Sequence, residues 1–423
     1  MSLAPARIFR SFHSFNYRLW AAGALVSNIG TWMQRTAQDW LVLTELTQHD
    51  ATSVGIVMAL QFGPQLLFLP WTGFAADHFD RRKLLMVTQA TMALLSMGLG
   101  MLVISGTAEL WQVYVFAFLF GCASAFDVPA RQTFITELVS DADLSNAVAL
   151  NSTTFNAARM VGPAVAGVVI AAVGTGWAFV INAGSFAAVL IALILLRRGE
   201  LFPSKRAARA KGSMTAGFRY VMNRPDLKAM LVILFLIGTF GLNFPLFIST
   251  MAVKIFHADA QGYGLLSSFM AVGTISGALL AAGRDTPRFR LLPRATGIFG
   301  AGCLCAALAP GYWWFAATLV VIGVSALTIL NTTNSLMQLT TDPEMRGRVT
   351  ALRVAIVFGG TPIGAPIVGW VADTFGPRWA LGFGAMSGFA AALVALAYLA
   401  RARRAQRYGP DPAPLAEDDE ARS

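Results

Sequence analysis

Gly73-Phe-Ala-Ala-Asp77-His78-Phe-Asp80-Arg81-Arg82-Lys83 is a short polar hinge between two long apolar runs. Residues 54–76 before the turn are apolar apart from Gln61, Gln65 and Thr72, and residues 84–104 after it are again predominantly apolar. A turn holding two acids and three bases does not sit in hydrocarbon, so it lies at a membrane face. Its clustered Lys and Arg select the cytoplasmic face. With that hinge inside, the orientation of every other span follows.

The composition agrees. The chain of 423 residues is 56% hydrophobic and 13% charged, against roughly 45–50% apolar and about 25% charged in soluble domains. With spans of ~20 residues and short loops, that length holds about a dozen spans. The net charge of +10 sits in short loops between apolar runs, which argues against nucleic-acid binding and for the positive-inside pattern plus contact with anionic lipid. Cys122, Cys303 and Cys305 lie in apolar runs, and no histidine stands at zinc-ligand spacing from them. No phosphate-binding Gly-x4-Gly-Lys-Ser/Thr loop and no nucleophile–base set stands out. The expectation is a protein that is not an enzyme and needs no cofactor or metal.

Twelve helices are predicted, over 19–44, 53–76, 84–106, 111–133, 146–173, 177–197, 227–252, 261–283, 291–310, 313–338, 349–373 and 378–400. The longest hydrophilic connection, with Lys205, Arg206, Arg209 and Lys211, divides them six and six. The domain reading is a cytoplasmic leader over 1–18, a six-helix bundle over 19–197, a basic linker over 198–226, a second bundle over 227–404 and a disordered tail over 405–423. The leader is basic and has no cleavage pattern. Loops assigned inside hold nearly all the Lys and Arg, whereas those outside hold only Lys254 and Arg378, so both termini are expected in the cytoplasm.

The halves repeat. A shift of 202 residues lays Gly162-Pro163-Ala-Val-Ala-Gly167 on Gly364-Ala-Pro-Ile-Val-Gly369, Gly174 on Gly376 and Trp177 on Trp379. Two parallel six-helix halves with a site between them near the midplane are a transporter design. The predicted fold class is therefore an all-α membrane protein of twelve transmembrane helices in two pseudo-symmetric six-helix bundles.

These residues resemble the major facilitator superfamily. Gly73-x-x-x-Asp77-x-x-x-Arg81-Arg82 resembles its loop signature, with His78 where a base is usual and Asp80 where glycine is usual. Gly162-Pro163-x-x-x-Gly167 resembles the family's antiporter signature. Asp127-Val-Pro-Ala-Arg131-Gln-Thr-Phe134 and Ser27-Asn28-Ile-Gly-Thr-Trp-Met-Gln34 are similar to the enterobactin-exporter-like and macrolide-efflux-like branch. The resemblance implies alternating access and export. It also implies that Gly73, Asp77, Arg81 and Arg82 form a latch that holds the outward-facing state; the alternative is that these bases only set topology.

Charges at depth mark the candidate site. Arg35 and Asp39 lie a turn apart on one face of the first span, with Gln34 and Gln38 beside them and Asn28 seven residues earlier. Arg159 lies in the middle of the fifth span near Asn156, and Asn331 and Asn334 lie in the tenth. Ionisable groups in hydrocarbon are costly unless paired or hydrated, so a shared polar cavity is expected. Low dielectric and Arg35 act on Asp39 in opposite senses, so Asp39 either couples protons or forms a fixed pair with Arg35. Asp127 and Arg131 read as an inner gate or a satisfied surface pair, with Pro129 marking a helix end or bend. Gly162, Pro163 and Gly167 read as a close-packing or helix-bending element.

The expected function is proton-coupled export of an amphipathic small molecule, such as a drug or siderophore, across the cell inner membrane by a monomer. The expected partners are that substrate, protons and the lipid bilayer, with no nucleic acid. A proton-independent facilitator or importer, and a non-transporting receptor or scaffold, are the rival readings.

Overall fold

The computed structural model describes residues 10–202, 214–282, 288–342 and 344–408. The side chains of residues 70, 73, 76, 77, 214–216, 281, 282, 358 and 405–408 lie outside that description. Most of the expected leader, the basic centre of the linker and nearly all of the expected tail therefore fall outside the described residues.

Among the described residues the regular structure is helical. The first part of the chain forms α1 (Phe15–Leu41), α2 (Ala51–Leu67), α3 (Leu69–His78), α4 (Arg81–Ile104), α5 (Leu110–Leu138), α6 (Asp141–Val173) and α7 (Thr175–Leu195). After α8 (Met214–Met222) come α9 (Pro225–Leu236), α10 (Phe244–Thr250), α11 (Ala260–Ala282) and α12 (Leu291–Ala307). The chain closes with α13 (Tyr312–Thr340), α14 (Arg346–Thr374) and α15 (Pro377–Tyr408). Nine stretches among the described residues are long and apolar enough to cross a membrane, one of them the composite Pro225–Ile255; α2 and α12 are shorter apolar helices. The chain is a multi-pass membrane protein.

Local chemistry sets the helix starts. Asp50 accepts from the N–H groups of Thr52 and Ser53 and starts α2. Asp80 accepts from the Lys83 N–H and starts α4, with extended backbone at φ −61°. The turn there needs no glycine, because aspartate supplies the helix cap instead. α6 begins at Asp141, earlier than predicted, because Asp141 and Asp143 in its first turn favour the positive helix end.

Three expectations change. α5 runs on past Pro129 to Leu138, beyond the predicted end at 133, because the turns there bury Phe134, Ile135 and Leu138. The span predicted over 227–252 is interrupted, with a π-helical turn at Ile237–Gly241 and a non-helical step before α10. Gly238 and Gly241 weaken the helix there, and Pro245 has no N–H to give the preceding turn. α15 continues to Tyr408, because Arg401, Arg403 and Arg404 suit the C-terminal part of a helix.

The helix neighbours mirror the sequence repeat. α2 packs along α14, and α6 along α11, so helices from the two halves of the sequence meet. A Cβ on Gly167 would lie 2.7 Å from the Ala260 carbonyl oxygen, and one on Gly369 would lie 2.4 Å from that of Ala51. These residues correspond under the 202-residue shift, and each lets a helix meet the first residue of a helix in the other half. Gly174 and Gly376 also correspond, at φ 91° and 101° between successive helices. That left-handed backbone explains why glycine recurs at the position.

Candidate functional site

A cavity of about 590 Å³ lies where α1, α2, α6, α11 and α13 converge on the break before α10. That volume is within the range of roughly 300–1,000 Å³ that holds a small organic molecule. The wall is mostly apolar, and its charged members are Arg35, Asp39 and Arg159. Asn156 and Asn331 also line it.

Helix geometry places these groups. Gly162 lets α6 press against α1, since a Cβ there would lie 2.4 Å from Cβ of Trp32. Trp32 thereby lies beside two cations: the guanidinium carbons of Arg35 and Arg159 lie 5.0 and 5.4 Å from its ring centroid. Arg35 also lies 4.5 Å from the Phe62 centroid. Among the described ion pairs, none joins Arg35 to Asp39. Arg35 Nε and Asp39 Oδ1 are both buried without a hydrogen-bond partner in the structure. The fixed pair read from their spacing is thus not in direct contact; the Arg35 head turns towards aromatic rings instead. Pro163 lines the cavity within an unbroken α6, while Gly167 meets the first turn of α11.

The other polar residues of α1 go elsewhere. Gln34 Oε1 accepts from Ser96 and from Asn182, both at 2.6 Å, in the core of the first half. Gln38 Oε1 accepts from Gln61 Nε2 at 3.1 Å, and only Gln61 of that pair reaches the cavity. Asn28 accepts from Arg131 at 3.4 Å. Asn334 accepts from Gln338 and is not part of the wall.

Asp127 and Arg131 form neither a surface pair nor, in this structure, a contact with Glu137. Asp127 is 4% exposed. It accepts from Arg131 at 3.0 Å, Thr88 at 2.9 Å and Gln89 at 2.7 Å. The cluster ties α4 and α5 together, and through Asn28 it reaches α1. Asp127→Ala is expected to lower stability by about 3–5 kcal/mol, because it strands a buried guanidinium. Thermal unfolding of the purified protein checks this; an unchanged midpoint would show that the pair is not a stabilising element.

At the hinge, Arg81 pairs with Glu137 at 2.8 Å, and Arg82 donates to the Leu193 carbonyl at 2.7 Å. Both contacts stay within the first half. Gly73 and Asp77 lie in α3, and their side chains lie outside the described residues.

Two contacts join the halves of the sequence on the side of the cavity away from this basic hinge. Trp40 stacks on Tyr263 at 5.6 Å and 15°. Asp373 on α14 accepts from the N–H groups of Ala51 and Thr52, the Thr52 hydroxyl and Lys254, all between 2.7 and 2.9 Å. A carboxylate from one half thus caps the first turn of α2 in the other. Sequence reasoning missed Trp32, Phe62, Tyr263 and Asp373. The first three stand in apolar runs, and Asp373 stands at the end of a predicted span. The signal for the break at α10 was present in Gly238, Gly241, Asn243 and Pro245.

Comparison with known proteins gives the family and the fold. A family model described as transmembrane secretion effector matches residues 2–415. The multidrug efflux pump Tap of Mycolicibacterium fortuitum is 26% identical over 84% of this chain and 88% of its own. The enterobactin exporter EntS of Citrobacter koseri is 25% identical over 88% and 90%. The staphyloferrin A transporter of Staphylococcus aureus is 28% identical, but the match spans only 60% of this chain and 63% of that one. Among solved structures, the nucleoside transporter NupG superposes with a TM-score of 0.72 at 13% identity, over 90% of this chain and 99% of its own. A bacterial homologue of the human lysosomal transporter Spinster gives 0.71 at 14%, over 93% and 96%. These two likenesses concern the fold alone.

Proposed function

This chain belongs to the transmembrane secretion effector family of the major facilitator superfamily, and on that premise we propose that it exports an amphipathic small molecule in exchange for protons. The observation that carries the proposal is the cavity lined from both halves of the sequence, with three charged side chains in its wall. Such groups are costly in hydrocarbon and are kept where a pathway needs them. The two efflux relatives, named for multidrug efflux and enterobactin export, support the outward direction.

Twelve spans in two halves follow when α1, α2 with α3, and α12 join the nine long apolar stretches. The basic hinge and loops favour a cytoplasmic position for that end and for both termini, in the cell inner membrane. The cavity is then shut towards the outside by Trp40–Tyr263 and by Asp373. Rocking of the halves about it would part these contacts and close the inner end, giving alternating access. The loop bases Arg81 and Arg82, with Gly73 and Asp77, are proposed to take part in that inner closure.

Proteoliposomes test this. Candidate amphipathic compounds are added while internal pH is followed. Substrate-driven proton movement is the expected result. Substrate flux without proton movement would make the protein a facilitator, and no flux of any compound would favour the receptor reading.

A further inference from the structure

We propose that the cargo is an organic anion with a flat apolar or aromatic body, its carboxylate or similarly planar oxyanion held by Arg35 and Arg159 over Trp32. The proposal rests on the transporter reading above and names the class of substrate.

The cavity wall carries two cations and one acid. Neither arginine is in an ion pair among the described residues. The acid does not neutralise its neighbour by contact, for Asp39 is 3% exposed and its Oδ1 has no donor. Both guanidiniums lie over one indole, so they also repel each other. Contacts with Trp32 and Phe62 offset part of the cost of burying positive charge, but ring faces do not satisfy a fork of N–H donors. A guanidinium offers five such donors in a plane that matches a carboxylate edge. Arg35 Nε has no acceptor, while Arg159 is exposed to the cavity.

The neutral polar groups do not supply the missing negative charge. Gln61 is already held by Gln38, and Asn156 donates to the backbone of its own helix. An anion entering between the arginines gains two charge-assisted contacts and relieves their repulsion. A primary ammonium entering there meets two like charges and has only Asp39 to face. Trp32, Phe62 and Phe244 supply flat apolar surface for the body of the molecule.

The experiment compares three probes of one shape on the full chain in lipid nanodiscs: 1-naphthoate, 1-naphthamide and 1-naphthylmethylamine. Binding is read by calorimetry against protein-free nanodiscs. The carboxylate is expected to bind roughly ten-fold tighter than the amine, the scale of one charge-assisted contact. That preference should disappear in Arg159→Gln and in Arg35→Gln, and return in part in the lysine variants, which keep charge but lose the fork. Equal or tighter binding of the amine or amide to the wild-type protein overturns the proposal, and so does failure of all three to bind. The wild-type comparison alone decides, so a variant that fails to fold leaves the test intact. Flux assays separate the two readings. Selective carboxylate binding with no flux of any probe would count against the transporter reading alone, whereas proton-driven flux of the amine over the carboxylate would overturn only the charge class.

Discussion

Asp39→Asn is expected to reduce substrate-driven proton movement in proteoliposomes to background while leaving the protein folded. Asp39 is the one acid lining the cavity among the described residues, and Oδ1 has no hydrogen-bond donor. Arg35 lies one turn away on the same helix but outside ion-pair distance. On the proposed exchange of substrate for protons, Asp39 is the cavity carboxylate placed to carry the proton. Asparagine keeps the shape and removes the ionisation. Internal pH and substrate flux are measured together on wild type and variant. Full proton coupling in the variant would place the coupling group elsewhere. Loss of coupling with retained substrate exchange would confirm Asp39 in that role.

Gly167→Leu and Gly369→Leu are each expected to stop export without preventing insertion of the protein. A Cβ at 167 would lie 2.7 Å from the Ala260 carbonyl oxygen and 2.9 Å from Gly264 Cα. At 369 it would lie 2.4 Å from the Ala51 carbonyl oxygen and 2.9 Å from Thr52 Cα. These neighbours are backbone and cannot swing aside as a side chain would. The halves must part at that end, and in Gly369→Leu the Asp373 cap on Ala51 and Thr52 is lost with the approach that allowed it. The cavity is then held open on the side of Trp40 and Tyr263. A cysteine at Ile248, which is 3% exposed and lines the cavity, reports this in a background lacking the native cysteines. Labelling by a membrane-impermeant maleimide added outside should rise several-fold in either leucine variant. Normal export with unchanged labelling would show that the two glycines do not govern closure.

Much of the architecture was legible in the sequence, because hydrocarbon is an exacting solvent. It demands apolar helices and drives a polar hinge such as Asp77–Lys83 to an interface, so a many-spanning helical protein can be read from charge and hydropathy. The 202-residue repeat was legible for a steric reason. Gly167 and Gly369 allow close helix approach, while Gly174 and Gly376 adopt left-handed backbone, and few other residues do either.

The candidate site was legible only in part. Arg35, Asp39, Arg159, Asn156 and Asn331 line the cavity as their depth in the membrane implied. Asn28, Gln34 and Gln38 sit on the same helix and look no less polar, yet they bond within the bundle. Neighbouring helices decide that by what they offer: Ser96 and Asn182 draw Gln34 inward, and Arg131 takes Asn28. The distinction between Asp39 and Asp127 arises in the same way, since α4 brings Thr88 and Gln89 to one carboxylate and no donor reaches the other's Oδ1. The sequence by itself determined a many-spanning, repeated membrane protein with ionisable groups at depth, because local hydropathy and backbone sterics act over one or two turns. The tertiary structure alone decided which of those groups are satisfied and which face a cavity, because that depends on partners brought from distant helices.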